Sequence, residues 1–343
     1  MTKNIALAAA LFSVVILPLK AEEIPQEGSL SNLKVPQFLD IAHRGASGYV
    51  PEHSQASTVM AHAMGADYIE QDIQLTRDSV PVVLHDEVLD YITDVSQVFP
   101  EKHRPDGHYY VVDFSLEELK QLSITPRHKD YELVYPNRFS NNDVRFPVQT
   151  LDEQLKLIHE LNRTRGKSTG VYVEIKSPRW YLQQGYDSTA AVMSVLAQNG
   201  YHDTMATPIY LQSFDPEVLR RLKREYNWEQ PLIQLIGDNE WGMSDVDYSS
   251  MRTSAGLEAV KSYAEGIGLW LNHVLEGVNQ GQPEGQPKWS SVLDTADNKG
   301  LDVHVYTLRA DDLPEGVESH SQLRQWLKTA GAEGVFTDFP DQK

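Results

Sequence analysis

Apolar and polar positions along this chain switch repeatedly between two periods. Short alternating or wholly apolar runs occur at residues 38–43, 68–73, 171–176, 209–214, 232–236, 266–269, 303–308 and 334–337, with the length and composition of strands. Between most of them the apolar residues fall at helical spacing, over 54–64, 151–161, 188–198, 216–225, 256–264, 290–299 and 321–330. Strand and helix in alternation predict a parallel sheet covered by helices, and eight such units close as a (β/α)8 TIM-type barrel. Residues 82–85 form a further extended run after the turn formers of Thr76-Arg77-Asp78-Ser79, and they read as the returning arm of a β-hairpin. A two-residue turn at Asp78-Ser79 sets Leu75 against Val82, Ile73 against Leu84 and Asp72 against His85. Residues 87–147 are rich in Tyr, Pro, Asn and charge, carry one predicted helix at 115–122, and are expected as a long insertion at the C-terminal face of the barrel. Two shorter loop-like stretches, 237–252 and 272–288, join them there.

Reactive side chains cluster at the ends of these strands. His43-Arg44-Gly45 closes the first, and period two puts Glu70 and Asp72 on one face of the second. His85-Asp86 ends the hairpin, while Glu174 and Lys176 share a face of the next strand. Each fragment alone is an ordinary surface or capping feature, but barrel enzymes assemble their sites from C-terminal strand ends, where all four converge. Glu70, Asp72 and Glu174 are three hard oxygen donors. With no cysteine in the chain and His43 and His85 suited to general acid–base work, such a set fits Ca²⁺, or alternatively Mg²⁺, better than zinc. Direct metal ligation by the two histidines is the competing arrangement. Arg44 and Lys176 are fixed cations for a phosphate group, and Phe214 and Tyr306 are expected in the pocket wall. His53 precedes a helix as a cap or as a lining residue, and Asp338 is a candidate for orienting another side chain.

At this level the chain resembles a known family. His43-Arg44-Gly45-Ala46-Ser47-Gly48 with Pro51-Glu52-His53, Gly65-Ala66-Asp67-Tyr68-Ile69-Glu70-Gln71-Asp72, Val83-Leu84-His85-Asp86 and Glu174-Ile175-Lys176 are similar to the motifs of glycerophosphodiester phosphodiesterases. Gln212-Ser213-Phe214, Tyr306-Thr307 and Phe336-Thr337-Asp338-Phe339-Pro340 continue the likeness in the family's order, so it covers the whole chain after its leader. Length and leader resemble the bacterial periplasmic branch. The resemblance implies a metal-dependent hydrolysis of a small glycerophosphodiester, in which a hydroxyl of the glycerol attacks first and water then opens a cyclic phosphate. Two departures stand out: Ser79 where the family often has Gly in the hairpin turn, and Ser54 after His53 where many members carry Asn-Thr.

Composition narrows the partners. The formal charge is −19, and residues 1–21 read as a signal peptide: Lys3, an apolar run over 5–19, and Ala21 before Glu22-Glu23. Its removal takes away Lys3 and Lys20 and leaves a still more acidic single domain, 22–343, expected in the periplasm without a stable membrane anchor. Such acidity argues against nucleic acid or an anionic membrane surface as the main partner. Without cysteine there is neither a disulfide nor a cysteine-borne lipid anchor. Three rivals remain: a lyase of the phospholipase D toxin type acting on choline lipids, a barrel glycosidase with paired carboxylates, and a non-catalytic protein that kept the fold. The first fits poorly with the long insertion and acidic charge, the second has no use for His43, His85 or Arg44, and the third leaves every catalytic position filled without purpose.

Overall fold

Every predicted strand forms. The computed structural model describes residues 38–130, 132–140, 143–201, 207–279 and 285–343. The strands of the main sheet are β1 (Leu39–Ala42), β2 (Tyr68–Leu75), β3 (Pro81–Val83), β4 (Gly170–Ile175), β5 (Ile209–Ser213), β6 (Leu232–Ile236), β7 (Gly266–Trp270), β8 (Asp302–Leu308) and β9 (Gly334–Thr337). All except β3 are parallel, each pairs with the next, and β9 returns to β1 with Leu39 opposite Gly334 and Ala42 opposite Thr337. The sheet therefore closes as an eight-stranded barrel, with β3 attached antiparallel to β2. Predicted signal-peptide residues 1–21 lie outside the described residues. Among the described residues no helix is long and apolar enough to cross a membrane.

The alternation along each strand sorts its side chains. On β2, Ile69 and Ile73 face outward and join Ala61, Leu155, Ile158, Val192 and Leu196 of the surrounding helices in the main apolar cluster. Losing one such buried aliphatic side chain costs about 2–5 kcal/mol. The opposite face begins with Tyr68, which packs with Tyr172 and Tyr210 as an aromatic floor inside the barrel. Tyr172 and Tyr210 stack at 4.9 Å, and the Tyr172 hydroxyl pairs with His304 Nδ1 at 2.8 Å. Two and four residues beyond Tyr68 on that face come Glu70 and Asp72; beyond Tyr172 come Glu174 and Lys176. Register places Asp72 directly opposite Glu174. An apolar floor thus forces the polar positions to the C-terminal mouth.

Helix ends follow local chemistry. Ser54 caps Gln55–Met64 by accepting from Ser57 N, and Thr150 with Glu153 forms a capping box on Leu151–Arg165. The helix expected at 256–264 instead runs Ser254–Lys261, because Thr253 supplies its cap to Gly256 N.

The hairpin differs from the predicted register by one residue. Ile73 pairs with Val83, Gln74 with Val82 and Leu75 with Pro81, so Asp72 meets Leu84 rather than His85, and Leu84 N donates to Asp72 O at 3.0 Å. The cause is Ser79, which sits in the left-handed region at φ 61° and lengthens the loop to three residues, with Thr76 N donating to Val80 O at 3.1 Å. The slip turns Val82 and Leu84 toward the insertion, where they join Leu89, Ile92, Phe114, Leu122 and Ile124 in a separate small core. His85 follows after the ladder ends, and Gln74 Nε2 fixes its carbonyl at 2.7 Å. Ser79→Gly should raise stability by about 1 kcal/mol in urea unfolding, because only glycine adopts this conformation without cost; a loss of stability would contradict the loop assignment.

Candidate active site

Three buried carboxylates stand at the mouth. Glu70, Asp72 and Glu174 are 2%, 2% and 5% exposed. Lys176 lies between two of them, its Nζ 3.1 Å from Glu174 Oε1 and 3.5 Å from Asp72 Oδ1. Arg44 serves the third: its backbone N–H donates to Glu70 Oε2 at 2.8 Å, while its guanidinium reaches Asp72 at 3.5 Å and Glu52 at 2.8 Å. That arrangement needs Arg44 at φ 59° and Gly45 at φ 81°, and a Cβ on Gly45 would lie 2.1 Å from Ser57 Oγ. The glycine of the His-Arg-Gly motif is therefore a steric requirement of the site.

The electrostatics are divided. Burial, then the charge of Asp72, pushes Glu70 well above the usual carboxylate range. Burial pushes Glu174 up to about 8, with Lys176 opposing and Asp72 adding to the rise. Burial works against Asp72 too, yet Lys176, His85 and His53 together hold it well below its ordinary value. Lys176 is raised by Glu174 and Asp72 against its own burial. Burial together with the neighbouring carboxylate charge leaves Glu70 and Glu174 raised in spite of the two cations, which favours a further positive charge.

The two histidines are braced alike. His43 Nδ1 pairs with Asp338 Oδ1 at 2.7 Å, and Asp338 Oδ2 meets Arg309 Nε at 3.0 Å and Arg138 Nη2 at 2.8 Å. His85 Nδ1 pairs with Asp86 Oδ1 at 2.8 Å, and Asp86 Oδ2 meets Arg127 Nη2 at 2.7 Å. In each case the carboxylate accepts the Nδ1 proton, which fixes the tautomer and leaves Nε2 for reacting atoms. Burial first, and the charge of Arg44 next, lowers both imidazoles to about 4. Both are neutral at pH 7.

A cavity of about 400 Å³ gathers these groups. His43, Arg44, Glu70, Asp72, His85, Glu174 and Lys176 all line it, and so do Phe214 and Tyr306. The nine residues expected to act as acid–base groups, metal donors, phosphate cations or pocket wall therefore meet at one mouth, while the lesser candidates His53 and Asp338 stand behind it, each pairing with one of them. His53, Arg127, Arg138 and Arg309 carry more weight than their sequence context conveys. His53 is 1% exposed, and its Nε2 lies 2.9 Å from Asp72 Oδ2. Its ring, Glu70 and Asp72 bring ligand-type atoms within 4.8 Å of one another. This trio differs from the expected Glu70, Asp72 and Glu174, but Nε2 is already committed to Asp72, so His53 serves to orient that carboxylate. The donor set, oxygen-rich, buried and short of positive charge, fits a hard divalent cation. Arg127 and Arg138 arise from the insertion, where no periodicity marks them.

A parallel barrel with such a mouth belongs to the class of (β/α)8 enzymes. The family follows from the sequence: residues 43–342 match the glycerophosphoryl diester phosphodiesterase family, and the chain belongs to it. It is similar to a glycerophosphodiester phosphodiesterase of Haemophilus influenzae, 37% identical over 321 residues covering 88% of this chain and 87% of that protein. A Treponema pallidum protein of the same name is 35% identical, covering 88% and 89%. Among solved structures, an Oleispira antarctica phosphodiesterase in complex with the product sn-glycerol-3-phosphate superposes with a TM-score of 0.61 at 21% identity, covering 89% of this chain and 94% of that one. A glycerophosphodiester phosphodiesterase from Agrobacterium tumefaciens gives 0.56 at 20% identity, covering 89% and 98%. At that identity the structures bear on the fold alone.

The pKa directions set a pH dependence of stability. Between about 4 and 6.5 the unfolded histidines hold protons that folded His43 and His85 do not, so these groups gain stability as pH rises. Between 4.5 and about 8 folded Glu174 holds a proton that the unfolded chain has lost, so its contribution falls as pH rises. From about pH 7 upward the histidine effect is nearly spent and the Glu174 effect dominates. In chelator the protein should lose about 0.5–1 kcal/mol of unfolding free energy from pH 7 to 8; a gain over that window would contradict the raised Glu174 carboxyl.

Proposed function

We propose that this chain hydrolyses glycerophosphodiesters, such as glycerophosphocholine and glycerophosphoethanolamine, to glycerol 3-phosphate and an alcohol. The observation that carries the reading is the meeting of His43 and His85, each backed by a carboxylate, with Arg44, Lys176 and three buried carboxylates in one cavity. The names of the similar Haemophilus and Treponema proteins support it. Glu70, Asp72 and Glu174 would hold a divalent cation, Ca²⁺ ahead of Mg²⁺, which would supply positive charge against the negative charge of the reacting phosphate. An exported, periplasmic protein fits the leader-like residues 1–21.

Proton movements fall to the chain. One imidazole takes the proton of the attacking glycerol hydroxyl through Nε2 as the new phosphorus–oxygen bond forms. The other, protonated beside the anionic phosphate, gives its proton to the departing alcohol as the old phosphorus–oxygen bond breaks. Arg44 and Lys176 balance the charge on the phosphate oxygens throughout. In the second half water attacks the cyclic phosphate, and the two imidazoles exchange roles, so each ends as it began. The product is glycerol 3-phosphate.

His43→Ala and His85→Ala should each lower kcat by about 10²–10⁴-fold with KM within a few-fold, followed by release of glycerol 3-phosphate; near-normal turnover in both would refute the assignment. Glu174→Gln removes a buried charge while keeping the shape. Calorimetric titration should show at least roughly tenfold weaker Ca²⁺ binding, and in chelator the variant should melt no lower than the parent. Unchanged Ca²⁺ affinity would remove Glu174 from the donor set.

A further inference from the structure

The two histidines form a partition. On one side lies the 400 Å³ cavity with all three carboxylates. On the other lies a second chamber of about 150 Å³ that shares His43, Arg44, His85 and Arg309 with the first but contains none of those carboxylates. Its remaining walls come from the β1 loop, the end of β9, and the insertion, which contributes Arg127, Tyr135 and Arg138.

We propose that this second chamber receives the departing alcohol, and that it selects headgroups bearing oxygen acceptors over quaternary ammonium. The inference rests on the proposed diesterase reaction. In-line displacement at phosphorus puts the attacking and leaving oxygens on opposite sides. The attacking glycerol hydroxyl belongs with the carboxylates in the larger cavity, so the leaving oxygen emerges past the histidines into the smaller one. There it meets four guanidinium groups, those of Arg44, Arg127, Arg138 and Arg309, against Glu52 and Asp338 in the lining. Asp86 and Asp311 pair with Arg127 and Arg138 from behind. These ion pairs fix the guanidinium planes, and not all donors are spent: among the described residues Arg309 is hydrogen-bonded through Nε alone. Arg138 is further held over the ring of Tyr135, at 3.7 Å. Hydroxyl or carboxylate oxygens can accept from such donors, whereas a trimethylammonium group offers no acceptor and faces like charge. The insertion is on this view a headgroup reader.

The test compares kcat/KM for glycerophosphoglycerol, glycerophosphoserine and glycerophosphocholine at one fixed Ca²⁺ concentration. Wild type should favour the first two by roughly tenfold, the size of one charge-assisted hydrogen bond. In Arg309→Gln the chemical step slows for all three diesters through Asp338, but the ratio cancels that loss and should fall toward one. Should that variant fail to fold, Tyr135→Ala decides instead: it removes the ring that holds the Arg138 guanidinium, and the ratio should fall, any loss of turnover common to the three diesters cancelling. Equal rates on all three diesters in wild type, a preference for choline, or a ratio unchanged in the deciding variant would overturn this inference alone. No turnover of any diester would overturn the proposed function and this inference with it.

Discussion

Placing like charges on neighbouring strands of a closed barrel is the constraint from which the rest of this site follows. Register sets Asp72 directly across from Glu174, and period two sets Glu70 beside Asp72, so three buried carboxylates share one mouth at strand spacing. Burial and mutual repulsion would keep such a group partly protonated. Arg44 and Lys176 offset part of that cost, Lys176 between two carboxylates and Arg44 through both its backbone and its guanidinium. The residual demand for positive charge fits the hard cation proposed above. With such a cation bound, an acidic protein would attract a phosphate locally against its own overall field.

The same economy of charge governs the histidines. Each imidazole is tied by Nδ1 to an aspartate and each aspartate to arginine; against burial, His85 ahead of Arg127 holds Asp86 ionised, and Arg309 ahead of His43 holds Asp338 ionised. Two of those arginines, Arg127 and Arg138, come from the insertion, whose small apolar core also grips the hairpin through Val82 and Leu84. The insertion is therefore part of the frame that holds both histidines. Its packing fixes both the backbone that carries His85 and the counter-ions behind each imidazole.

Most of this was legible where periodicity carries the information. Strand ends position Glu70, Asp72, Glu174 and Lys176, and a period of two is enough to put them on a common face. The hairpin register was less secure, because it turns on the backbone of one residue: Ser79 takes the left-handed conformation, adds a residue to the loop and moves every pairing by one. The site survives the slip because His85 lies beyond the ladder, held by Gln74 rather than by pairing with Asp72. His53 read equally well as a cap residue, since its position at φ 58° ahead of a helix gives no sign that its ring turns back to Asp72. Arg127 and Arg138 had no periodic context at all, and Arg309 lies one residue beyond a predicted strand. Their roles depend on contacts with residues far away in sequence, such as Asp311 and Asp338, which local spacing does not encode.

The claim that a cation joins the carboxylates to the chemistry is tested most directly by following glycerophosphoethanolamine with phosphorus NMR, using wild-type protein dialysed against chelator and then resupplied with Ca²⁺. The account predicts no conversion in chelator and, on resupply, a single final phosphorus product, glycerol 3-phosphate. Full conversion in chelator would contradict it, as would phosphoethanolamine as the product.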